Sequence, residues 1–231
     1  MLRFLRSHAS SQSATPEKGQ IPIDALRDLQ ECGSQAGQDM FDDLNRTIEA
    51  LLKAELASDV ASQVSISFAT PDDSFPPQGL SLPAINAFLF EIRENTSLRD
   101  FEPTRERSAD GTTALVRPPV HVDCHYLVTA VATPQLGSEM EEAHILGAAL
   151  KALLRHRVLP AAVLQGSLIG TTPPIRAGTI LQDANPSRID LWQSLKGKPR
   201  ASLHYTLTVP VDVGVPDDMA RPVIQLNVGG P

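Results

Sequence analysis

Cysteine is nearly missing: Cys32 and Cys124 are the only two in 231 residues. That excludes a disulfide scaffold and a thiolate zinc site, and it points to a reducing compartment. Long hydrophobic runs are missing as well. No window holds the ~18 apolar residues that a membrane span requires, so direct membrane insertion is not expected. Positive charge is in deficit, with 20 Lys and Arg against 27 Asp and Glu and a formal net charge of −7. Such a chain is a poor match for a phosphate backbone, and nucleic acid is not an expected partner. Neither GxGxxG nor GxxxxGK[ST] occurs, so no phosphate cradle is proposed. What is there is ordinary: 42% hydrophobic and 20% charged residues, as in a globular protein. The length suits one domain with arms.

Charge is uneven along the chain. The opening MLRFLRSHASSQSAT has no acid, whereas residues 21–60 carry nine acids. The Ser- and Arg-rich start has features of a transit peptide, but its apolar face is only Met1, Leu2, Phe4 and Leu5. A solvated arm over 1–36 is the preferred reading, because such a stretch buries too little to offset the entropy of ordering. No apolar h-region follows the arginines, so a secretory signal is not expected.

Regular structure is expected over 37–213. Phe41, Leu44, Ile48, Leu51, Leu52 and Leu56 recur every three or four residues. This predicts a helix with Asp42, Asp43, Arg46 and Lys53 facing outward and Asp39 near its N-terminus. A second helix is expected over 138–155, with Met140, Ala143, Leu146, Leu150, Leu153 and Leu154 inward and a capping box from Ser138 to Glu141. Shorter helices are expected over 23–29 and, after a Ser187–Asp190 box, through Trp192 and Leu195 to a stop at Gly197. Residues 63–69, 120–131 and 201–213 alternate with period two, which predicts strands with one packed and one wetter face. The 84–92 segment is apolar on both sides: Ile85, Ala87 and Leu89 on one, Phe88, Phe90 and Ile92 on the other. It is expected inside the sheet, covered twice, with Phe88 and Phe90 buried. Pro71–Pro83 and Thr96–Pro119 read as loops. The fold class is therefore α/β (α+β), a mixed, mostly antiparallel sheet flanked by two main helices.

Three constellations could carry chemistry. His121, Asp123 and His125 share one face of a strand, and His204 on a neighbouring strand would add a fourth side chain. Imidazole and carboxylate are common metal ligands. The plainer reading, a polar sheet face meeting water or a neighbouring subunit, carries more weight. Cys124 falls on the packed side and reads as a core residue. In Gly166-Ser167-Leu168-Ile169-Gly170 the serine is second rather than third, so the nucleophile elbow is not matched. The charged run from Arg93 through Asp100 reads as a solvated turn with local ion pairs.

Four segments in order carry a family resemblance. AINAFLFEIRENTSLRD resembles a buried strand of pattern "NLFLYxVxEN" followed by "LRN". PPVHVDCHYLVTAVA resembles "PPLxLDLHYLVTAxA". EEAHILGAALKALLRHRVLP resembles "EHxLLGxALxALxxHPVLP", and DLWQSLKGKPRASLHYTLTVPVDV resembles "xLWxALxxxxRPSLxYxVTVPVD". Together, over roughly 41–213, they are similar to the N-terminal domain of the tail-terminator, or cap, family of phage-tail-like contractile injection systems, which includes the antifeeding-prophage and virulence-cassette terminators. The resemblance implies a phage tail-terminator-like fold and structural work rather than catalysis. It implies a homo-hexameric ring at the baseplate-distal end of the inner tube, contacting tube and sheath proteins and ending their polymerisation in a cytoplasmic, assembled particle. It implies no cofactor and no active site. The rival reading is a metal-dependent or hydrolytic enzyme using the polar sheet face.

Beyond 213 the chain carries Gly214, Pro216, Asp217, Asp218 and Pro222, which read as a tether. Val223, Ile224, Leu226 and Val228 follow with strand propensity. Two readings stand for this stretch over 214–231: a strand donated to a neighbour's sheet edge, or an edge strand of its own domain.

Overall fold

A computed structural model describes residues 40–102, 104–107, 113–135, 137–178 and 188–213. The chain divides into two units, Met1–Asp39 and Met40–Pro231, and all described residues belong to the second. The expected 23–29 helix, the arm over 1–36, Asp39, the Ser187 box and the 214–231 tail lie outside the described residues.

Helix α1 spans 40–55, as the apolar spacing predicts, and buries Leu44, Ile48, Leu51 and Leu52. A one-turn helix, α2 (Ser58–Ala61), turns the chain into β1 (Ser65–Ser67). Strands β2 (Ala84–Glu94), β5 (Val120–Val131) and β7 (Ser202–Val211) are the long members of the sheet, and β6 (Arg176–Gly178) is short. The order is β1-β2-β5-β7-β6, with β1 parallel to β2 and every other pair antiparallel. Helix α3 covers Ser138–Leu154 and α4 covers Arg188–Ser194.

One face of the sheet makes the core. Ile85 and Ala87 of β2, Cys124, Tyr126 and Val128 of β5, and Tyr205, Leu207 and Val209 of β7 join Leu44, Ile48, Leu51 and Leu52 of α1 and Ile145, Leu146, Ala149 and Leu153 of α3 in a single buried cluster. The period-two alternation puts these strand residues on one side, and both helices pack there. Tyr126 shows how the layers are tied: its ring is fully buried among them, and its hydroxyl donates to Asn45 Oδ1 of α1 at 3.0 Å. Burial pushes the Tyr126 and Tyr205 phenols above their usual range, so both stay protonated.

Several expectations need correction. Phe88 and Phe90 are only half-buried, because the main core lies on the other face of β2. The alternation also breaks within β2: the register shifts between Leu89 and Glu91, leaving Phe90 in a bulge and setting Ile92 opposite Cys124 rather than beside Phe88. A bulge inserts one residue and so reverses the facing of everything after it. Inside α3 the buried stripe is Ile145, Leu146, Ala149, Ala152 and Leu153, while Met140 is 80% and Leu154 53% exposed. Its N-terminus has no capping box, since Gly137 at φ 87° occupies the cap and Ser138 is the first helical residue. The presumed loop 96–119 contains a 3-10 turn, Thr96–Leu98, and a two-stranded antiparallel ribbon, β3 (Thr104–Arg107) with β4 (Thr113–Val116). Lys196, at φ 54°, not Gly197, takes the left-handed position after α4.

Candidate functional site

The antiparallel register of β5 and β7 sets Asp123 opposite Thr208, His125 opposite Thr206 and His204 opposite Leu127. These face away from the core cluster. Asp123 accepts from Thr208 Oγ1 at 2.6 Å and from Asn95 Nδ2 at 3.0 Å. His125 Nδ1 lies 2.9 Å from Thr206 Oγ1, and the Phe90 ring centroid is 6.2 Å from His125 and 5.4 Å from His204. Burial holds the His125 pKa down, against the opposing pull of Glu91 and Asp123, so the neutral imidazole is favoured. His121 is offset toward the strand start, opposite Pro210. The four candidate ligands thus share a sheet face without converging. Among the described residues no three His, Cys, Asp or Glu side chains gather as a metal set. Cys124 is fully buried on the core side, and burial, with the Asp123 charge, pushes its thiol up to about 12. It is a core residue at neutral pH, neither nucleophile nor ligand.

Ser167 does not sit at a nucleophile's turn. Gly166–Leu168 is a 3-10 turn, and the Ser167 N–H and hydroxyl both donate to Asp43 Oδ2, at 2.8 and 2.9 Å. Asp43, expected outward, is therefore buried. One helical turn on, Thr47 Oγ1 accepts from Gln165 N at 3.1 Å. The charged 93–100 segment is the end of β2 and the turn that follows it, with local pairs, Arg93 with Glu91 at 2.6 Å and Arg99 with Glu94.

Several polar residues inside the four sequence blocks are clamps between elements. Asn95 donates from its backbone N to His121 O at 2.8 Å and from Nδ2 to Asp123, and its Oδ1 accepts from Leu98 N at 3.2 Å. It thereby ties the end of β2 to β5 and caps the following turn. Asn86 Nδ2 donates to Ala69 O at 2.9 Å, holding β2 to the chain after β1. Glu142 of α3 pairs with Arg200 ahead of β7 at 2.7 Å and accepts from Ala132 N after β5 at 3.3 Å. Glu55 of α1 pairs with His156 at 2.7 Å and with Arg155, joining the C-terminal ends of α1 and α3. Spacing alone did not mark these residues. The available signal was a polar residue at a position that the apolar period would bury, as with Asp43 and Thr47.

Among the described residues, no group on this surface combines a nucleophile, a base and a cavity. The site is a scaffold of inter-element ties. The family model described as Pvc16 N-terminal domain matches residues 43–225. The chain belongs to that family. The match runs beyond 213, so part of the tail lies within it. Two solved structures, both by cryo-electron microscopy, are similar across most of the chain. The sheath/tube terminator, in the extended state, of the extracellular contractile injection system PVC is 27% identical with a TM-score of 0.59, covering 82% of this chain and 62% of that one. The tube-terminating cap of the anti-feeding prophage is 29% identical with a TM-score of 0.59, covering 81% of this chain and 60% of that one. This chain spans about three fifths of the length of each. No curated protein matches. The observed fold is the terminator fold: a mixed α/β domain with a five-stranded, mostly antiparallel sheet.

Proposed function

We propose that this chain is a structural terminator of a contractile injection system. It forms a homo-hexameric ring at the baseplate-distal end of the inner tube and sheath, stops their polymerisation and so fixes particle length. The observation that carries this reading is similarity over about four fifths of the chain to two chains that are a sheath/tube terminator and a tube-terminating cap. In this reading 37–213 is the ring-forming body and assembly takes place in the cytoplasm. Residues 1–36 are an arm, and 214–231 a tether that carries Val223, Ile224, Leu226 and Val228 to a neighbour's sheet edge. Strand addition would satisfy both the apolar groups and the unpaired backbone of that segment.

The enzyme reading draws no support. Asp123 and His125, which it would need free, are engaged by Thr208, Asn95 and Thr206.

Deleting the protein from a producing strain and imaging the particles tests the proposal. Tubes and sheaths of uncontrolled length are expected, with sixfold density at the baseplate-distal end only when the protein is present. Particles of uniform, normal length without it would overturn the role.

A further inference from the structure

The outward side of α3 carries apolar groups that the described residues cover only in part. Met140, Ala143, Gly147, Leu150 and Leu154 are spaced three or four apart, so they form one stripe along the helix, roughly 20 Å long at 1.5 Å per residue. Met140 is 80% and Leu154 53% exposed, and Gly147 has open space where a Cβ would stand. At its C-terminal end the stripe opens into a groove of about 560 Å³ lined by Leu153, Leu154, Arg157, Arg176 and Ala177. Val158 beside it is 44% exposed. Arg157 and Arg176 are exposed and have no ion-pair partner among the described residues, unlike their neighbours Arg155 and His156, which Glu55 holds. At the opposite end of the stripe stand exposed Glu139, Met140 and Ala143.

The two ends of α3 are therefore complementary to each other in charge and alike in apolarity. We propose that they join successive copies of this chain head to tail: Glu139, Met140 and Ala143 of one copy seat in the Arg157/Arg176 groove of the next. Met140 then packs against Leu154 and Val158, and Glu139 faces the arginines. Burial of the apolar groups supplies the affinity, and the charges set register and direction. A contact between two different patches leaves each copy with one free patch of each kind. It therefore propagates, and it closes into a ring when the rotation permits. This inference rests on the ring-forming terminator reading and names the ring's contact.

The test uses full-length protein added to particles that lack it, scoring capped ends by electron microscopy. Two charge-reversed proteins are made, Glu139→Arg and the double variant Arg157→Glu/Arg176→Glu. Each alone should cap at least tenfold fewer ends than wild type, with unchanged melting temperature, because every changed residue is exposed. Their mixture should restore capping, since alternating copies meet opposite charges at every contact of an even-membered ring. Met140→Asp, which attacks the apolar half, should fail alone and in any mixture. Normal capping by either charge variant alone would overturn the proposal. So would loss that the mixture does not rescue, which would assign the surface to tube or sheath protein. Wild-type protein that caps no ends would instead sink the terminator reading itself.

Discussion

The Asp43 carboxylate of α1 accepts two hydrogen bonds from Ser167, one from the backbone N–H at 2.8 Å and one from the hydroxyl at 2.9 Å. Residues 124 positions apart are thereby locked at one point of the core rim. Gly166 makes the approach possible. A Cβ there would lie 2.2 Å from the carboxylate, and its φ of +52° already favours glycine.

Two substitutions probe this lock. Asp43→Ala leaves the Ser167 donors without their acceptor and should cost about 1–3 kcal/mol in urea unfolding. Gly166→Ala should cost at least as much, because it adds a steric clash to an unfavourable φ. The lock also predicts a pH response. The Ser167 backbone N–H, then its hydroxyl, hold the Asp43 pKa below the ordinary carboxylate value, and burial only partly opposes them. A folded pKa below the unfolded one contributes stability that is full above the unfolded value, near pH 4, and is lost as pH falls through the folded value. Asp43→Asn should therefore show a flatter loss of stability below pH 4 than wild type.

The core makes a second prediction. Leu52 is fully buried in the cluster joining α1 to the sheet, so Leu52→Ala should cost about 2–5 kcal/mol. Tyr126→Phe keeps the ring and loses only the bond to Asn45, so about 1 kcal/mol is expected. Phe90→Ala should cost less than Leu52→Ala, since Phe90 is half-buried on the other face. Equal losses at Phe90 and Leu52 in the same denaturant series would mean that the second face is covered as thoroughly as the first.

The elements with a single clear period were legible in the sequence: α1, β5 and β7 appear where the spacing puts them. The failures have physical causes. Helix α3 carries two apolar stripes, and periodicity alone does not say which is inward, so the spacing groups the buried Leu146 and Leu153 with the exposed Met140 and Leu154. In β2 a bulge at Phe90 broke an alternation that the sequence alone leaves intact. The β3–β4 ribbon lies in a charged stretch with little apolar pattern. The polar ladder of His121, Asp123 and His125 was visible as alternation. Its chemistry depended on register and on the nearby Asn95, Thr206 and Thr208, which pattern does not supply. Family resemblance reached the fold because its blocks span several such clamps together.

Gly197 offers a third prediction. A Cβ added there would meet Pro71 O at 2.2 Å and Trp192 Cε3 at 3.2 Å. The obstacle is backbone, so the loop after β1 must move away from α4. Gly197→Ala should therefore destabilise by about 1–3 kcal/mol, the range for overpacking. Lys196→Gly, at the neighbouring position with φ 54°, should be neutral or stabilising in the same melt, because it removes the left-handed penalty.

The last prediction concerns the tail beyond Val213. Its segment from Val223 to Val228 is apolar and strand-prone, and it follows a Pro- and Asp-containing stretch with little to bury. Two fates satisfy its backbone: pairing with its own sheet or pairing with a neighbour's. In the described body, the β6 side of the sheet is closed by the chain at 157–159, where Ala177 N donates to Arg157 O at 2.8 Å and Leu159 N to Ile175 O at 3.0 Å. The β1 side ends in a strand of three residues. A donated strand predicts that truncation after Val213 leaves the melting temperature of the isolated protein unchanged and abolishes retention on tube and sheath ends. Adding the 214–231 peptide in trans should not restore retention, because the donor must stay tethered to the ring. Unfolding of the truncated monomer would instead assign the segment to its own sheet and end the donor-arm proposal.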